Sequence, residues 1–270
     1  MPPLDLQAEL DLAVEAAHRA GVIQMERYER LERIVHKSEH DVVTEVDKLT
    51  EDLILAAVRE AFPTDSILAE ESGSATHDPG TPAPEPGTER LWVVDPLDGT
   101  VNYANGIPLF CVSIALAIGG RPVMGVVHDP ARNETFTARL GHGAQLDGVP
   151  IHHPTKARLV DCVISMGVPR SGYARRAARI RAGVRASRNI GTGALGIAYV
   201  ANGRFDAFVQ VPGGLSAWDV AAAGIIAEEG GAIVTSGDGG PWFDLGRPSH
   251  RSGIVAAAPA HHATLLEMLR

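Results

Sequence analysis

The order of helical and strand patterns predicts an α+β protein built in layers. Amphipathic helical stretches and short apolar strand runs come in blocks, without the regular strand–helix alternation that builds a doubly wound sheet. Of the 270 residues, 45% are hydrophobic, enough to fill one large domain or two closely packed lobes. A shift in charge near residue 150 suggests lobes of 1–150 and 151–270. The first half holds 11 Lys/Arg against 25 Asp/Glu, and the second holds 13 against 8.

Leu6 to about Arg30 reads as a helix with Leu6, Leu10, Val14, Ala17 and Gly21 on one face and Asp5 as its N-cap. A second helix is predicted from Glu45 to Ala61, with Leu49, Leu53, Ala56 and Ala57 on its apolar face. Phe62-Pro63 closes it, because the residue before a proline avoids the α region. Residues 78–88 are rich in proline and glycine and predict an exposed loop. Leu91–Val94, Cys111–Ile118, Val123–His128 and Glu134–Ala138 read as strands between turn signals. Helices follow at Tyr173–Ala186 and Ala194–Asn202, the latter ended by Gly203. Phe205–Val211 is a strand, Asp219–Glu229 a helix stopped by Gly230-Gly231, and Ile233–Thr235 and Ile254–Ala258 close the set.

Composition narrows the function. No run of 18 apolar residues marks a transmembrane helix, and the N-terminus lacks a basic stretch followed by an apolar one. A soluble cytoplasmic protein is expected. Cys111 and Cys162 sit in apolar runs and are expected as buried free thiols. The net charge of −9 argues against sequence-independent nucleic-acid binding, while an acidic first half suits metal cations and a basic second half an anionic substrate.

Four segments hold acidic residues in unusual company. In D-V-V-T-E-V-D, Asp41 to Asp47, the pair Thr44 and Asp47 has capping-box spacing, which alone accounts for both residues. In L-A-E-E-S-G, an apolar run ends in Glu70 and Glu71, which repel each other without a cation nearby. In W-V-V-D-P-L-D-G-T, a strand delivers Asp95 into a turn. There Pro96 fixes φ and Gly99 supplies a permissive backbone, so Asp98 and the Leu97 carbonyl converge on the same point. Such clustered oxygens are what Mg²⁺ requires. Thr100 adds a hydroxyl. In S-A-W-D-V-A-A-A-G, Ser216 and Asp219 again have capping-box spacing.

Taken together, Asp41…Asp47, Glu70-Glu71-Ser72, D-P-L-D-G-T-V-N-Y-A-N-G-I-P from Asp95, I-G-T-G-A-L-G-I-A-Y-V-A-N-G-R-F-D-A from Ile190, and Trp218-Asp219 resemble the inositol monophosphatase family along nearly the whole chain. The resemblance implies an α-β-α-β-α sandwich of the sugar phosphatase type, Mg²⁺-dependent hydrolysis of a small phosphate monoester, inhibition by lithium, and a homodimer. It implies two or three ions. Glu70, Asp95 and the Leu97 carbonyl would hold one, and Asp95, Asp98 and Asp219 a second. Glu70 with Asp47 would help place a third. Asp47 and Thr100 would activate the attacking water, with Glu70 in the catalytic group. Asp98, Gly99, Thr100, Gly191, Thr192, Gly193, Gln210 and Asp219 would meet the substrate, Gly99 and Thr100 through backbone N–H groups.

The pattern breaks in places. Inositol-specific members carry a Glu where the best match here is Gln210, and the following loop to Trp218 is longer. The amide lacks the anionic acceptor, which weakens the case for an inositol phosphate substrate. Fructose-1,6-bisphosphate, histidinol phosphate or a nucleotide 3′-phosphate are the rivals on the same fold. Arg170, Arg175, Arg176, Arg179, Arg181, Arg185 and Arg188 form either a solvated helix face or a second phosphate-recognition patch. The lysine usual before Asp41 corresponds to Lys37. D-P-L-D-G-T is also superficially like the D-x-D-G-T of haloacid-dehalogenase-type phosphatases, but it has one residue too many. A non-catalytic role as a partner of transcription machinery, known among family members, is the third alternative.

Overall fold

A computed structural model describes residues 5–28, 30, 34–38, 41–75, 89–167, 173–211, 214–244 and 253–269. Segment 78–88 and Arg170 lie outside the described residues, as do the side chains of Lys37 and Asp41. The chain opens with helix α1 (Gln7–Arg27), a hairpin of β1 (Ile34–Ser38) and β2 (Asp41–Thr44), and helix α2 (Glu45–Ala61). There follow β3 (Ser66–Ala69), β4 (Gly73–Ala75), β5 (Arg90–Asp98), the short helix α3 (Thr100–Ala104), β6 (Cys111–Ile118), β7 (Arg121–Asp129), β8 (Glu134–Arg139), β9 (Ala144–Leu146) and β10 (Val149–Ile151). The remainder is β11 (Val163–Met166), α4 (Ala174–Gly183), β12 (Ala186–Arg188), α5 (Gly193–Ala201), β13 (Ala207–Gln210), α6 (Ala217–Glu229), β14 (Ile233–Ser236), β15 (Ile254–Ala257) and α7 (Pro259–Leu269).

Strands β3 to β10 form an eight-stranded sheet in the order β10-β9-β8-β7-β6-β5-β3-β4, and β11 to β15 a five-stranded sheet in the order β12-β11-β13-β15-β14. Side-chain alternation in β5 shows how the layers stack. Trp92 and Val94 join Ala13, Ala17, Ile54 and Val58 of α1 and α2 on one face. Val93, between them, joins Ala194, Ile197, Val220 and Ala223 of α5 and α6 on the other. The far side of α5 and α6 meets Phe208, Ile254 and Ala256 of the second sheet. The outer face of that sheet, with Ile164, Val209 and Val255, is covered by Ile180 of α4 and Leu265 of α7. The α-β-α-β-α layering is therefore present, with α5 and α6 between two sheets.

The small residues of α5 and α6 explain their central place. Every residue of α5 is buried, and α6 runs Ala221-Ala222-Ala223-Gly224 through the interior. Small side chains let helices approach a sheet and each other closely. At Gly125 of β7 an added Cβ would lie 2.6 Å from the Ala222 carbonyl oxygen.

Several expectations need correction. Leu6, not Asp5, is the N-cap of α1, although Asp5 still accepts the Gln7 N–H at 3.3 Å. The buried face of α2 is Val46, Asp47, Thr50, Glu51, Ile54, Leu55 and Val58. Leu49 is 44% exposed, and Ala56 also faces outward. Polar side chains turn inward there because they have partners: Thr50 Oγ1 donates to the Val46 carbonyl, and Glu51 Oε2 accepts the Glu71 N–H at 2.8 Å. After α6 it is Gly231, at φ +93°, that adopts the left-handed conformation, while Gly230 remains helical. The helix expected at 173–186 ends at Gly183, where the chain turns into β12. The short strands β9 to β12 and helix α7 carry too little periodic pattern to be read from the sequence. Both cysteines are free and buried.

Candidate functional site

Strand β5 does not hand Asp95 to a separate turn. It continues to Asp98 through a bulge, with Asp95 opposite Ser113 and Asp98 opposite Cys111 on β6. A bulge bends the strand and re-aims its side chains. The Asp95 carboxylate caps this bulge by accepting the Leu97 N–H on Oδ1 at 3.0 Å. Gln24 of α1 pins the bulge from behind, donating Nε2–H to the Pro96 carbonyl at 2.7 Å. Gly99 then takes φ +96° and opens α3. A Cβ there would lie 2.8 Å from the Leu109 carbonyl oxygen, so both conformation and space require glycine.

Two further carboxylates arrive on helix N-termini. Thr44 and Asp47 form the expected capping box of α2: Asp47 Oδ2 accepts the Thr44 N–H at 2.8 Å and the Thr44 hydroxyl at 2.6 Å. Its Oδ1 accepts the Thr100 hydroxyl at 3.1 Å, and the same hydroxyl lies 3.0 Å from the Leu97 carbonyl oxygen. At α6, Ser216 and Asp219 form a second box, in which Asp219 Oδ2 accepts the Ser216 N–H. The Trp218 carbonyl, beside it, accepts the Ser113 hydroxyl at 3.1 Å and ties this helix start to β6.

One carboxylate oxygen from each of Asp95, Asp98 and Asp219 lies within 4.8 Å of the others. Asp95 Oδ2 is buried with no hydrogen-bond partner among the described residues. Burial, and then the nearby carboxylates of Glu70, Asp98 and Asp219, push Asp95 well above the usual carboxylate range. Burial and Asp98 do the same to Asp219. Burial raises Asp98 too, opposed by donors from Thr192 and the first N–H groups of α5. Asp47, also buried, is pushed up to about 6. A buried, orphaned oxygen amid like charges is a costly arrangement that a divalent cation relieves. The all-oxygen donor set fits a hard ion such as Mg²⁺.

The segment 190–193 comes to this cluster from the second half of the chain. Asn102 Nδ2 of α3 donates to the Ile190 carbonyl at 2.8 Å and to the Leu109 carbonyl at 2.7 Å. Gly191, at φ +74°, passes so close that a Cβ would lie 2.8 Å from the Asn102 amide. Thr192 caps α5 by accepting the Leu195 N–H. Its hydroxyl donates to Asp98 Oδ2, which also accepts the Ala194 N–H at 2.7 Å. Gly193 leaves room for Leu215 and sets the start of α5 beside Asp219, whose Cβ would lie 3.6 Å from an added Cβ.

The structure thus brings together Asp95, Asp98, Asp219, Thr192 and Gly193, and joins Asp47 to Thr100 and the Leu97 carbonyl. Glu70 follows β3 and is held there by its N–H to the Val94 carbonyl, within electrostatic range of Asp95. Gln210 ends β13, and its amide is lodged between the backbones of Gly167 and Gly214, where a Cβ on either would collide with it. Arg175, Arg176, Arg179 and Arg181 lie on α4 in the outer layer. Arg185 pairs with Asp161 at 2.8 Å, and Arg188 ends β12 just before the 190–193 segment. Sequence reasoning missed Gln24, Asn102, Cys111 and Ser113. Asn102 stands inside the D-G-T-V-N run, which was its one available signal; the other three lie in ordinary helix and strand patterns.

A sequence model described as the inositol monophosphatase family matches residues 5–270. The chain is 37% identical to "Inositol monophosphatase 1" of Solanum lycopersicum, over 95% of this chain and 92% of that protein. It is 35% identical to "Nus factor SuhB" of Haemophilus influenzae, over 96% of this chain and 94% of that one. The solved structure of an inositol monophosphatase from Anabaena (Nostoc) sp. PCC 7120 superposes with a TM-score of 0.83 at 34% identity, covering 98% of this chain and 96% of that chain.

Proposed function

Because the chain belongs to the inositol monophosphatase family, we propose that it hydrolyses a small phosphate monoester in a Mg²⁺-dependent reaction. The observation that carries this reading is the buried carboxylate cluster of Asp95, Asp98 and Asp219, in which Asp95 Oδ2 is offered no protein N–H or hydroxyl donor among the described residues. Asp95, Asp98 and Asp219 would hold Mg²⁺ together with Glu70 and the Leu97 carbonyl. When bound, the ions neutralise the phosphate dianion and lower the pKa of water.

The chain's own residues supply the rest. Thr100 takes a proton from the attacking water as its own hydroxyl proton passes to Asp47, which already accepts it at 3.1 Å. The water oxygen forms a bond to phosphorus while the ester P–O bond breaks in line; the departing alkoxide takes a proton from a solvent water and Asp47 returns its proton to solvent, so that the alcohol and inorganic phosphate leave. Gly99 and Thr100 offer backbone N–H groups to the phosphate oxygens. The N-termini of α5 and α6, set side by side at Gly193, favour negative charge at the same place. Gly191, Thr192, Gly193 and Gln210 would meet the alcohol, Gln210 once its amide leaves its seat between Gly167 and Gly214. Gln210 offers a neutral amide, which favours a sugar or polyol phosphate over a strictly inositol-specific substrate. Lithium sensitivity, a homodimer and a cytoplasmic location complete the reading. Among the described residues no helix is long and apolar enough to cross a membrane.

The test is phosphate release from inositol-1-phosphate, fructose-1,6-bisphosphate, histidinol phosphate and 3′-phosphoadenosine 5′-phosphate, with Mg²⁺, with chelator and with lithium. Mg²⁺-dependent, lithium-sensitive release supports the class, and the preferred compound names the substrate. No release from any of the four moves weight to a second reading, a protein-partner role. The likeness to a protein named Nus factor SuhB favours that role, and it would survive Asp95→Asn in a binding assay.

A further inference from the structure

The three clustered carboxylates share a pattern. Each has one oxygen occupied by protein donors. Asp95 Oδ1 accepts the Leu97 N–H, and Asp219 Oδ2 accepts the Ser216 N–H. Both clamps are local, two and three residues away, and both use the backbone. Asp98 differs. Its Oδ2 takes three donors: the Thr192 hydroxyl, the Ala194 N–H at 2.7 Å and the Cys111 thiol at 3.9 Å. Thr192 and Ala194 lie 94 and 96 residues further along the chain.

Resting on the metal-site reading above, we infer that Thr192 is a positioning residue that fixes the Asp98 carboxylate and reserves its Oδ1 for the cation. The Thr192 side chain cannot easily turn away, because its oxygen also accepts the Leu195 N–H at 3.3 Å as the N-cap of α5. Its proton is therefore directed at Asp98. The preceding backbone is held by Asn102 at the Ile190 carbonyl. An oxygen that already receives three donors has little left for a metal, so Asp98 binds through one oxygen. With Asp95 and Asp219 each clamped likewise, three single oxygens are presented at fixed positions before any ion arrives. Hydrogen bonds from outer residues of this kind orient ligands and set metal affinity. Of the three clamps, only the one at Asp98 depends on a side chain from another layer of the fold, and so only it is open to a clean substitution.

The experiment is calorimetric titration of the full chain with Mn²⁺, comparing wild type, Thr192→Val and Thr192→Ser. Melting in chelator is measured alongside. Thr192→Val is expected to weaken Mn²⁺ binding by about 10- to 100-fold, and Thr192→Ser to restore it to within several-fold of wild type. A merely structural role would lower the melting temperature without moving Mn²⁺ affinity in protein that is still folded. If Thr192→Val does not fold, Thr192→Ala, with less bulk to place beside Cys111, is read in the same way. Unchanged Mn²⁺ affinity in a folded Val or Ala variant overturns the inference and leaves the metal-site reading standing. Failure of the wild type to bind Mn²⁺ overturns both.

Discussion

Helices α2 and α6 begin with the same device and deliver two different carboxylates. Each starts with a hydroxyl residue at the N-cap and an aspartate three residues on, and each aspartate returns one oxygen to its own N-cap backbone. The second oxygen meets different company. Asp47 finds the Thr100 hydroxyl, a neutral donor that is in turn close to the Leu97 carbonyl. Asp219 finds Asp95 and Asp98, whose carboxylate oxygens come within 4.8 Å. The capping box fixes where a carboxylate sits but leaves its role to the neighbour of the second oxygen. Next to a hydroxyl it can move a proton; among other carboxylates it can hold a cation.

The largest expected effect would come from removing one charge of the Asp95–Asp98–Asp219 cluster. Asp95→Asn should abolish turnover and Mg²⁺ binding while the chelator-treated protein melts no lower than wild type, since a neutral amide removes repulsion from the apo cluster. Near-normal phosphate release at saturating Mg²⁺ would sink the metal assignment. On the Asp47 side, Asp47→Asn should lower kcat by about 10²–10⁴-fold with metal affinity little changed. Thr100→Val should fall in the same range, and the double variant should be no worse than the poorer single one, because one proton path is lost only once. Additive losses would show that the two residues act separately.

The comparison also has a packing side. Asp219 depends on how closely α6 lies on β7, while Asp47 does not. Gly125→Ala places a methyl 2.6 Å from the Ala222 carbonyl oxygen and 2.7 Å from Ile225 Cγ2. It should lower stability by about 1–3 kcal/mol in urea unfolding and raise the Mg²⁺ concentration for half-activation, while the Asp47–Thr100 pair stays in place. A variant as stable as wild type would mean that α6 can slide on the sheet.

The smallest effect lies away from the site. His128 is buried beside His18, ring centroids 4.6 Å apart, and burial, reinforced by His18, pulls it down to about 4 from 6.5. As pH falls below 6.5 the unfolded chain binds a proton that the folded protein refuses until about pH 4. Stability is therefore lost across that window and levels off below it. His128→Gln should flatten this part of the pH–stability curve measured by urea midpoint. An unchanged slope would place the acid sensitivity elsewhere.

Legibility follows the range of the interaction. The strands Cys111–Ile118 and Glu134–Arg139 and the helix at Ala217–Glu229 were readable because apolar pattern and capping residues are local signals. The face of α2 was not. An apolar count puts Leu49 inside, but the protein buries Thr50 and Glu51 instead, because the loop after β3 and the helix backbone give them partners. The approach of Asp95 to Asp98 was readable, yet not as a continuation of the strand, since that depends on pairing with β6.

What the sequence determined by itself was the set of carboxylates and their local clamps. Asp95 to Leu97, Thr44 to Asp47 and Ser216 to Asp219 are contacts over two or three residues, formed by local backbone geometry at the bulge and at the two helix starts. The tertiary structure alone decided which second oxygens meet. Gln24 on Pro96, Asn102 on Ile190 and Thr192 on Asp98 span 72 to 94 residues. Those partners are chosen by the stacking of α1, the two sheets and α5, and no local pattern encodes the distance between layers.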